Sequence, residues 1–243
     1  ESGYIVVFDE ITHLLQAQRD AAWGEVARRL AHEIKNPLTP IQLSAERLEH
    51  KLAAKLGEAD ADMLRRSTQT IVNQVAALKK MVDAFSDYAR SPQLSLQTLD
   101  LNRLVQEILT LYESLGNRIR LELSPDLPKF QGDPTLLRQV IHNLLQNSQD
   151  AVGETKDADI LVQTGLENGM VKLCINDNGS GFPDQILARA FDPYVTSKPK
   201  GTGLGLAVVK KIVEEHNGKL SIENLQPRGA CVCMMLPVAE AGK

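Results

Sequence analysis

Apolar residues recur at helical spacing along the first third of the chain. From about His13 to Lys55, seven of them lie within about 40° of the direction of Ile34 when each residue turns by about 100°: Leu30, Ile34, Leu38, Ile41, Ala45, Leu48 and Leu52. After Gly57 a second run alternates spacings of four and three: Leu64, Thr68, Ile71, Val75, Leu78, Val82, Phe85 and Ala89. Sustained spacing of this kind is typical of the seam of a helix bundle.

The two runs predict an antiparallel pair of long helices over residues 13–91, because the turn between them is short. One such hairpin leaves half of its seam uncovered. The simplest completion is a second copy, which gives a dimeric four-helix bundle. We therefore expect a homodimer.

The rest of the chain mixes helices and strands. Residues 92–101 are polar, contain Pro92, and are expected to form a linker. Residues 102–238 combine three helical stretches with the strand "IRLELS", a hairpin around Asn168-Gly169 and two closing strands. This pattern predicts an α+β sandwich with helices on one face of a mixed sheet.

The two ends of the chain are assigned separately. A single strand such as "GYIVVFDEIT" cannot stand alone, so residues 1–12 are either a disordered leader or, as we expect, the remnant of an upstream domain, and residues 239–243 are expected to be a tail.

Composition limits the classes of protein to which this chain can belong. The chain is 43% hydrophobic and 24% charged, with no apolar run near the roughly 20 residues that span a bilayer and no signal peptide at its start. A net charge of −4 argues against a nucleic-acid surface. Cys174, Cys231 and Cys233 lie in strand-like runs without zinc spacing, so buried reduced thiols and a cytosolic setting are expected.

The segment "RLAHEIKNPLTPIQLSAERL" carries the first candidate chemistry. His32 points about 160° away from Ile34, so it should be exposed, and Asn36 shares its face. Pro37 and Pro40 each cost about 3 kcal/mol in a helix interior and should bend or loosen the helix near His32. On position alone, an ordinary surface histidine remains the alternative.

This segment resembles the phosphoacceptor box, H-E-x-x-N-P, of two-component sensor histidine kinases, and it is closest to the nitrogen-regulation, NtrY-like branch. The resemblance implies that His32 is autophosphorylated by ATP. Glu33 can accept or orient the proton on the other ring nitrogen. Asn36 is implied to position a water for removing phosphate from the partner regulator.

Three further stretches resemble nucleotide boxes of the same family. "RQVIHNLLQNSQDAV" resembles the N box: Asn143 and Asn147 share one helical face, and the resemblance places Asn147 at the Mg²⁺ position and Asn143 at the nucleotide. Asp150 stands where a basic residue often follows this box, and it is left outside the site. "INDNGSGF" resembles the G1 box, and the resemblance implies that Asp177 recognises adenine; Gly179 and Gly181 allow close approach of the backbone.

"KPKGTGLGLAVV" resembles the G2 box, where backbone N–H groups can face phosphates at the start of a helix. The residues assigned to nucleotide binding here are Lys198, Gly201, Thr202, Gly203, Leu204 and Gly205. Residues 182–200 are expected to form a lid.

Together the boxes predict a kinase that uses ATP and Mg²⁺ to phosphorylate His32 and passes the phosphoryl group to an aspartate of an NtrX-like response regulator, docked near residues 38–48. The resemblance also implies a PAS-like upstream sensor and a membrane anchor only through segments outside this sequence, with these residues in the cytoplasm.

Two alternatives stay open. One is an ATPase of the Hsp90, MutL and gyrase kind, which uses a glutamate at the place of Asn143; the other is a non-catalytic dimeric scaffold. The sequence leaves open whether phosphorylation within the dimer is cis or trans.

Overall fold

The computed structural model describes residues 12–89, 94–112, 118–153, 157–198 and 201–238, with side chains described from residue 24 onward. The chain divides into two compact units, Glu1–Pro92 and Gln93–Lys243. The strand predicted within residues 1–12 and the tail at 239–243 fall outside the described residues, apart from residue 12.

The first unit is a helical hairpin. Helix α1 (Thr12–Leu52) is followed by a 3₁₀ turn (Ala53–Lys55) and helix α2 (Glu58–Ala89), which packs against α1. The predicted hairpin is thus confirmed. Helical geometry continues through Pro37 and Pro40 without interruption. Among the described residues, no helix combines the length and apolar character needed to cross a bilayer.

The predicted seam divides into a buried half and an exposed half. The buried positions of the seam are Leu38 and Ala45 on α1 and Thr68, Val75, Val82 and Ala89 on α2; Ala27, Ala31 and Ala61, outside the predicted seam, are also buried. The exposed positions of the seam are 38–52% exposed in the single chain: Leu30, Ile34, Ile41, Leu48, Leu52, Ile71 and Leu78. Within one hairpin the two helices therefore meet mainly through small side chains, while the larger apolar ones, apart from Leu38, remain at least partly exposed.

The second unit combines strands with helices. Its elements are β1 (Gln97–Leu99), α3 (Leu101–Leu109), β2 (Ile119–Leu123), β3 (Phe130–Gly132), α4 (Pro134–Val152), β4 (Ile160–Glu167), β5 (Met170–Asp177), α5 (Asp184–Leu187), α6 (Gly205–Glu215), β6 (Lys219–Asn224) and β7 (Ala230–Pro237). Five strands form a sheet in the order β2-β4-β5-β7-β6, in which β2 is parallel to β4 and all other neighbours are antiparallel. A separate pair joins β1 to β3.

This arrangement confirms the α+β sandwich. The core lies between the sheet and helices α4 and α6, which contact each other and the central strands. Asn168 and Gly169 both have positive φ and form the predicted turn between β4 and β5. The predicted linker needs one correction, because residues 97–99 are not free chain but form strand β1, which pairs with β3.

Asp133 ties the start of α4 to two distant segments. Its Oδ1 accepts the backbone N–H groups of Thr135 and Leu136, and its Oδ2 accepts that of Ser95 at 3.0 Å. Its own N–H donates to Nε2 of the buried His216. Burial raises the pKa of Asp133, but these three backbone donors and the nearby His216 outweigh it and hold the pKa below its usual value.

The prediction of three reduced thiols is wrong in this structure. Cys174 and Cys233 form a disulfide, and only Cys231 is free among the described cysteines. The reason is register: β5 and β7 pair antiparallel with Cys174 directly opposite Cys233, so the two side chains share one face of the sheet. The sequence separation of 59 residues gives no hint of this contact.

Candidate functional site

In the first unit, the predicted phosphoacceptor residues lie at the surface. His32, Glu33 and Asn36 are all exposed on α1, as expected from the helical angles. The carboxylate of Glu33 accepts a hydrogen bond from Nε of Arg29, one turn earlier, at 3.1 Å. The imidazole is therefore available to a reactant from solvent.

In the second unit, Asp177 closes strand β5 and is only 7% exposed. Its Oδ1 accepts a hydrogen bond from the N–H of Gly179 at 2.9 Å. The carboxylate also accepts hydrogen bonds from the hydroxyl of Ser148 and the backbone N–H of Ala230. Burial raises the pKa of Asp177 despite these donors and the nearby charge of Lys198. A buried acceptor that is fixed by three donors can recognise one donor on a ligand.

The loop after Asp177 packs closely on the end of α4. A Cβ at Gly179 would lie 2.6 Å from the carbonyl oxygen of Ala151, so only glycine fits there. Gly181 follows beside Asn224, whose side chain both accepts from and donates to the backbone of Phe182 at 2.8 and 2.7 Å. The G1-like loop is thereby held against α4 on one side and the end of β6 on the other.

Asn143 and Asn147 are half-buried on one face of α4. The Lys198 ammonium donates to Oδ1 of Asn147 at 3.4 Å and pairs with Oδ2 of Asp150 at 2.8 Å. A Cβ at Gly205 would lie 3.9 Å from Nδ2 of Asn147, so the start of α6 is next to this helix. Three of the predicted positions, Asn147, Lys198 and Gly205, are thus neighbours.

The glycine-rich segment is a compact turn before α6. The N–H of Gly201 donates to the Lys198 carbonyl at 3.0 Å, and the carbonyl of Gly203 accepts the N–H of Tyr194 at 2.9 Å. Gly203 has φ +66, and a Cβ there would lie 2.7 Å from Cα of Tyr194, so a larger residue is excluded.

The last residues of this segment fix the start of the helix. The Thr202 hydroxyl accepts the N–H of Leu204 at 3.3 Å, and the Leu204 side chain is fully buried. Helix α6 then begins at Gly205, and the N–H groups of its first turn have no intrahelical acceptors. Such a helix start attracts phosphate oxygens.

These groups suit a purine nucleotide. A buried carboxylate can accept a hydrogen bond from the exocyclic amine of adenine. Guanine has an oxygen at that position, which cannot donate to the carboxylate. A helix start and a lysine can contact phosphates. The amide oxygens of Asn143 and Asn147 are hard ligands of the kind that a hydrated Mg²⁺ ion takes while it bridges phosphates.

Sequence reasoning missed three residues of this region. Asp150 was excluded, yet its carboxylate holds Lys198. Ser148 and Asn224 were not considered, although each contacts a G1-like residue or its neighbour. Ser148 had a detectable signal, because it directly follows Asn147 on the N-box-like helix. Asn224 had none, since 42 residues separate it from Phe182.

Two family models match the chain. The His Kinase A (phospho-acceptor) domain covers residues 22–94, and the histidine kinase-, DNA gyrase B- and HSP90-like ATPase covers residues 132–240. The nitrogen regulation protein NtrY of Azorhizobium caulinodans is 38% identical over 97% of this chain and 31% of its own length. The chain therefore spans about a third of this curated relative.

Solved structures show the same architecture. Full-length ShkA in complex with AMPPNP superposes with a TM-score of 0.70 over 90% of this chain and 47% of that one, at 24% identity, which supports the fold alone. Histidine kinase ThkA in complex with the response regulator protein TrrA gives a TM-score of 0.67 at 25% identity, over 98% of this chain and 69% of that one.

Proposed function

The chain belongs to the sensor histidine kinases, of the NtrY-like type, and we propose that it transfers the γ-phosphoryl group of ATP to His32 and from there to an aspartate of a response regulator. One observation carries this proposal: a single chain combines an exposed histidine on a helical hairpin with a unit in which α4 contacts both Asp177, at the end of β5, and the glycine-rich start of α6.

In the proposed reaction, a neutral ring nitrogen of His32 forms a bond to the γ-phosphorus while the bond from that phosphorus to the bridging oxygen breaks and ADP leaves. The Glu33 carboxylate would first separate from Arg29. It would then accept a hydrogen bond from the proton on the other ring nitrogen of His32. Asn36, exposed on the same face, would position water for dephosphorylation of the regulator.

The nucleotide is assigned to the second unit. Asp177 would recognise adenine, with Gly179 and Gly181 giving close approach. Lys198, Thr202 and the backbone from Gly201 to Gly205 would hold the phosphates. Asn147, with Asn143 beside the nucleotide, would hold Mg²⁺, whose charge neutralises the phosphate oxygens.

The partners follow from the same family. The apolar positions left exposed on the hairpin, such as Ile34, Ile41 and Ile71, favour a second copy of this chain as the bundle partner. The regulator is proposed to be NtrX-like, because the relative in Azorhizobium caulinodans is a nitrogen regulation protein. A membrane anchor of the longer protein is also a proposal, made by analogy with this family.

The direct test is incubation of the chain with γ-labelled ATP and Mg²⁺, followed by a purified receiver domain. We expect label on the protein that is lost in acid and retained in base, as for a phosphoramidate, and that moves to the receiver. Free labelled phosphate without label on the protein would instead identify an ATPase, and nucleotide binding without either product would identify a scaffold.

We expect Asp150→Asn to bind ATP several-fold more tightly than the wild type. The Asp150 carboxylate pairs with the Lys198 ammonium, so it would compete with phosphates for this cation and add negative charge beside them. Displacement of a fluorescent ATP analogue measures the change. Asp157→Asn makes the same change of charge at an exposed position and should bind ATP as the wild type does. Equal or weaker binding by Asp150→Asn would contradict the assigned competition.

A further inference from the structure

The three cysteines form a cluster on the face of the sheet that lies away from α4 and α6. Along β5, Leu173 and Ile175 are almost fully buried and face these helices. Side chains alternate along a strand, so Cys174 lies on the opposite, outer face. Cys233 pairs with Cys174, and Cys231 is two residues from Cys233 on the same side of β7. We call Cys174, Cys231 and Cys233 the cysteine cluster.

The sulfur atoms of the cluster are close enough to share one metal ion. All three lie within 4.8 Å of one another, and Sγ of Cys231 is 3.4 Å from Sγ of Cys233. Three thiolates at a Zn–S distance of about 2.3 Å in a tetrahedral site are about 3.8 Å apart. Reduction of the Cys174–Cys233 disulfide would free both side chains to rotate toward this separation.

Packing alone does not explain three cysteines here, because their neighbours on this face are largely polar. The residues opposite them on the adjacent strands are Gln163, Ser221 and Glu223. Leu225 is the hydrophobic residue that packs against the cluster among those described. Three cysteines that are 6–8% exposed and lie among polar groups differ from the aliphatic core on the other face of the sheet.

An oxygen beside the cluster lacks a partner. Asn176 is directly opposite Cys231, and its Nδ2 donates to Oε1 of Gln163 at 2.8 Å. Its Oδ1 is buried and, within the part of the chain that the structure describes, accepts no hydrogen bond. Such an atom indicates a missing donor, for example a water held by a metal ion.

Charge selects the kind of metal. Buried thiolates need a positive partner, because an unpaired charge is costly to remove from water. Three thiolates leave a net charge of −1 with a divalent ion and −2 with Cu⁺. The smaller buried charge favours Zn²⁺, a common ion at sulfur-rich sites.

We propose that the reduced cysteine cluster binds one zinc ion through its three sulfur atoms, with water in the fourth position hydrogen-bonded to Oδ1 of Asn176. The disulfide is then the oxidised, metal-free form. A phosphine reductant converts it to two thiols and is itself oxidised, with oxygen from water, to phosphine oxide; zinc binding afterwards releases the three thiol protons. The site does not depend on the kinase assignment, since it uses none of the nucleotide residues.

The test uses the chain after anaerobic reduction with a phosphine, titrated with Co²⁺ as a spectroscopic substitute for Zn²⁺. We expect one Co²⁺ per chain, with sulfur-to-cobalt charge-transfer absorption and the visible bands of a tetrahedral ion, and its displacement by Zn²⁺. Competition with a chromophoric chelator then gives the zinc affinity. Absence of charge-transfer absorption in the reduced chain would overturn the proposal, as would a preference for Cu⁺ with no binding of Zn²⁺.

The decisive variant is Cys231→Ser, because it removes one ligand and leaves Cys174 and Cys233 able to pair. We expect its zinc affinity to fall by about 100-fold or more. Ser221→Ala, on the same face opposite Cys233, is the control and should bind zinc unchanged. Wild-type affinity in Cys231→Ser would show that the sulfurs do not act together. Circular dichroism verifies that each variant is folded, and Cys174→Ser provides a second ligand deletion.

Discussion

Replacement of His32 by glutamine should abolish acid-labile phosphorylation, to below about 1% of the wild type, while ATP binding stays unchanged. Glutamine is neutral and similar in reach, but its amide nitrogen is not a nucleophile toward phosphorus. The side chain is exposed, so its replacement removes no packing. Gel autoradiography after incubation with γ-labelled ATP and Mg²⁺ measures phosphorylation, and displacement of a fluorescent ATP analogue measures binding.

The matched control is His50→Gln. His50 is also an exposed histidine of α1, so this variant tests whether any surface histidine of the stem can accept phosphate. It should be labelled as strongly as the wild type. Acid-labile label in His32→Gln at a substantial level would refute the assignment of the phosphoacceptor, whereas loss of label in both variants would point to damage to the hairpin.

The second large effect concerns adenine recognition: Asp177→Asn should bind ATP about 10- to 100-fold more weakly, because a hydrogen bond to a charged group contributes about 1.5–3 kcal/mol. The amide also turns a donor toward groups that donate to the wild-type carboxylate, namely the N–H of Gly179 and the Ser148 hydroxyl. Titration of the fluorescent ATP analogue measures the loss.

Two controls separate recognition from damage. Tripolyphosphate lacks adenine, so its ability to compete with the analogue should be the same for Asp177→Asn and the wild type. Asp159→Asn removes a carboxylate of the same unit that pairs with Arg120 at the surface, and it should leave ATP affinity intact. Equal weakening toward tripolyphosphate would mean that Asp177 supports the loop rather than recognising the base.

The architecture was predictable from sequence where the interactions are local. The spacing of Leu38, Ala45 and Val75 predicted both helices of the hairpin, since helix periodicity depends on neighbours three and four residues away. The turn at Asn168-Gly169 was equally local, because both residues tolerate positive φ.

What the sequence left undetermined depends on long-range register. Strand β1 has three residues, and its pairing with β3 requires knowing that residues 97 and 132 meet. The Cys174–Cys233 disulfide and the contact of Asn224 with Phe182 have the same origin. The hydrophobic pattern also could not divide the seam into its two halves, because Leu38 and Ile41 differ in burial but not in polarity.

The residues that we assign to nucleotide binding were selected by resemblance, and the fold explains why their stretches could be recognised. Asn147, Asp177 and Gly205 lie in separate stretches of the chain, but each stretch has its own recognisable local form: a helix face, a strand end and a helix start. The ion pair of Lys198 with Asp150 has no local sequence pattern that would reveal it, since it joins two exposed side chains that are 48 residues apart.

The Asp133 carboxylate links two parts of the chain, and this link has a mechanical consequence. One carboxylate caps α4 and also holds the backbone at Ser95, just after the predicted linker begins. We therefore expect a displacement of Ser95 to move the first turn of α4. Because Asn143 and Asn147 lie further along the same helix, the conformation of the backbone at Ser95 would be coupled to the position of both asparagines.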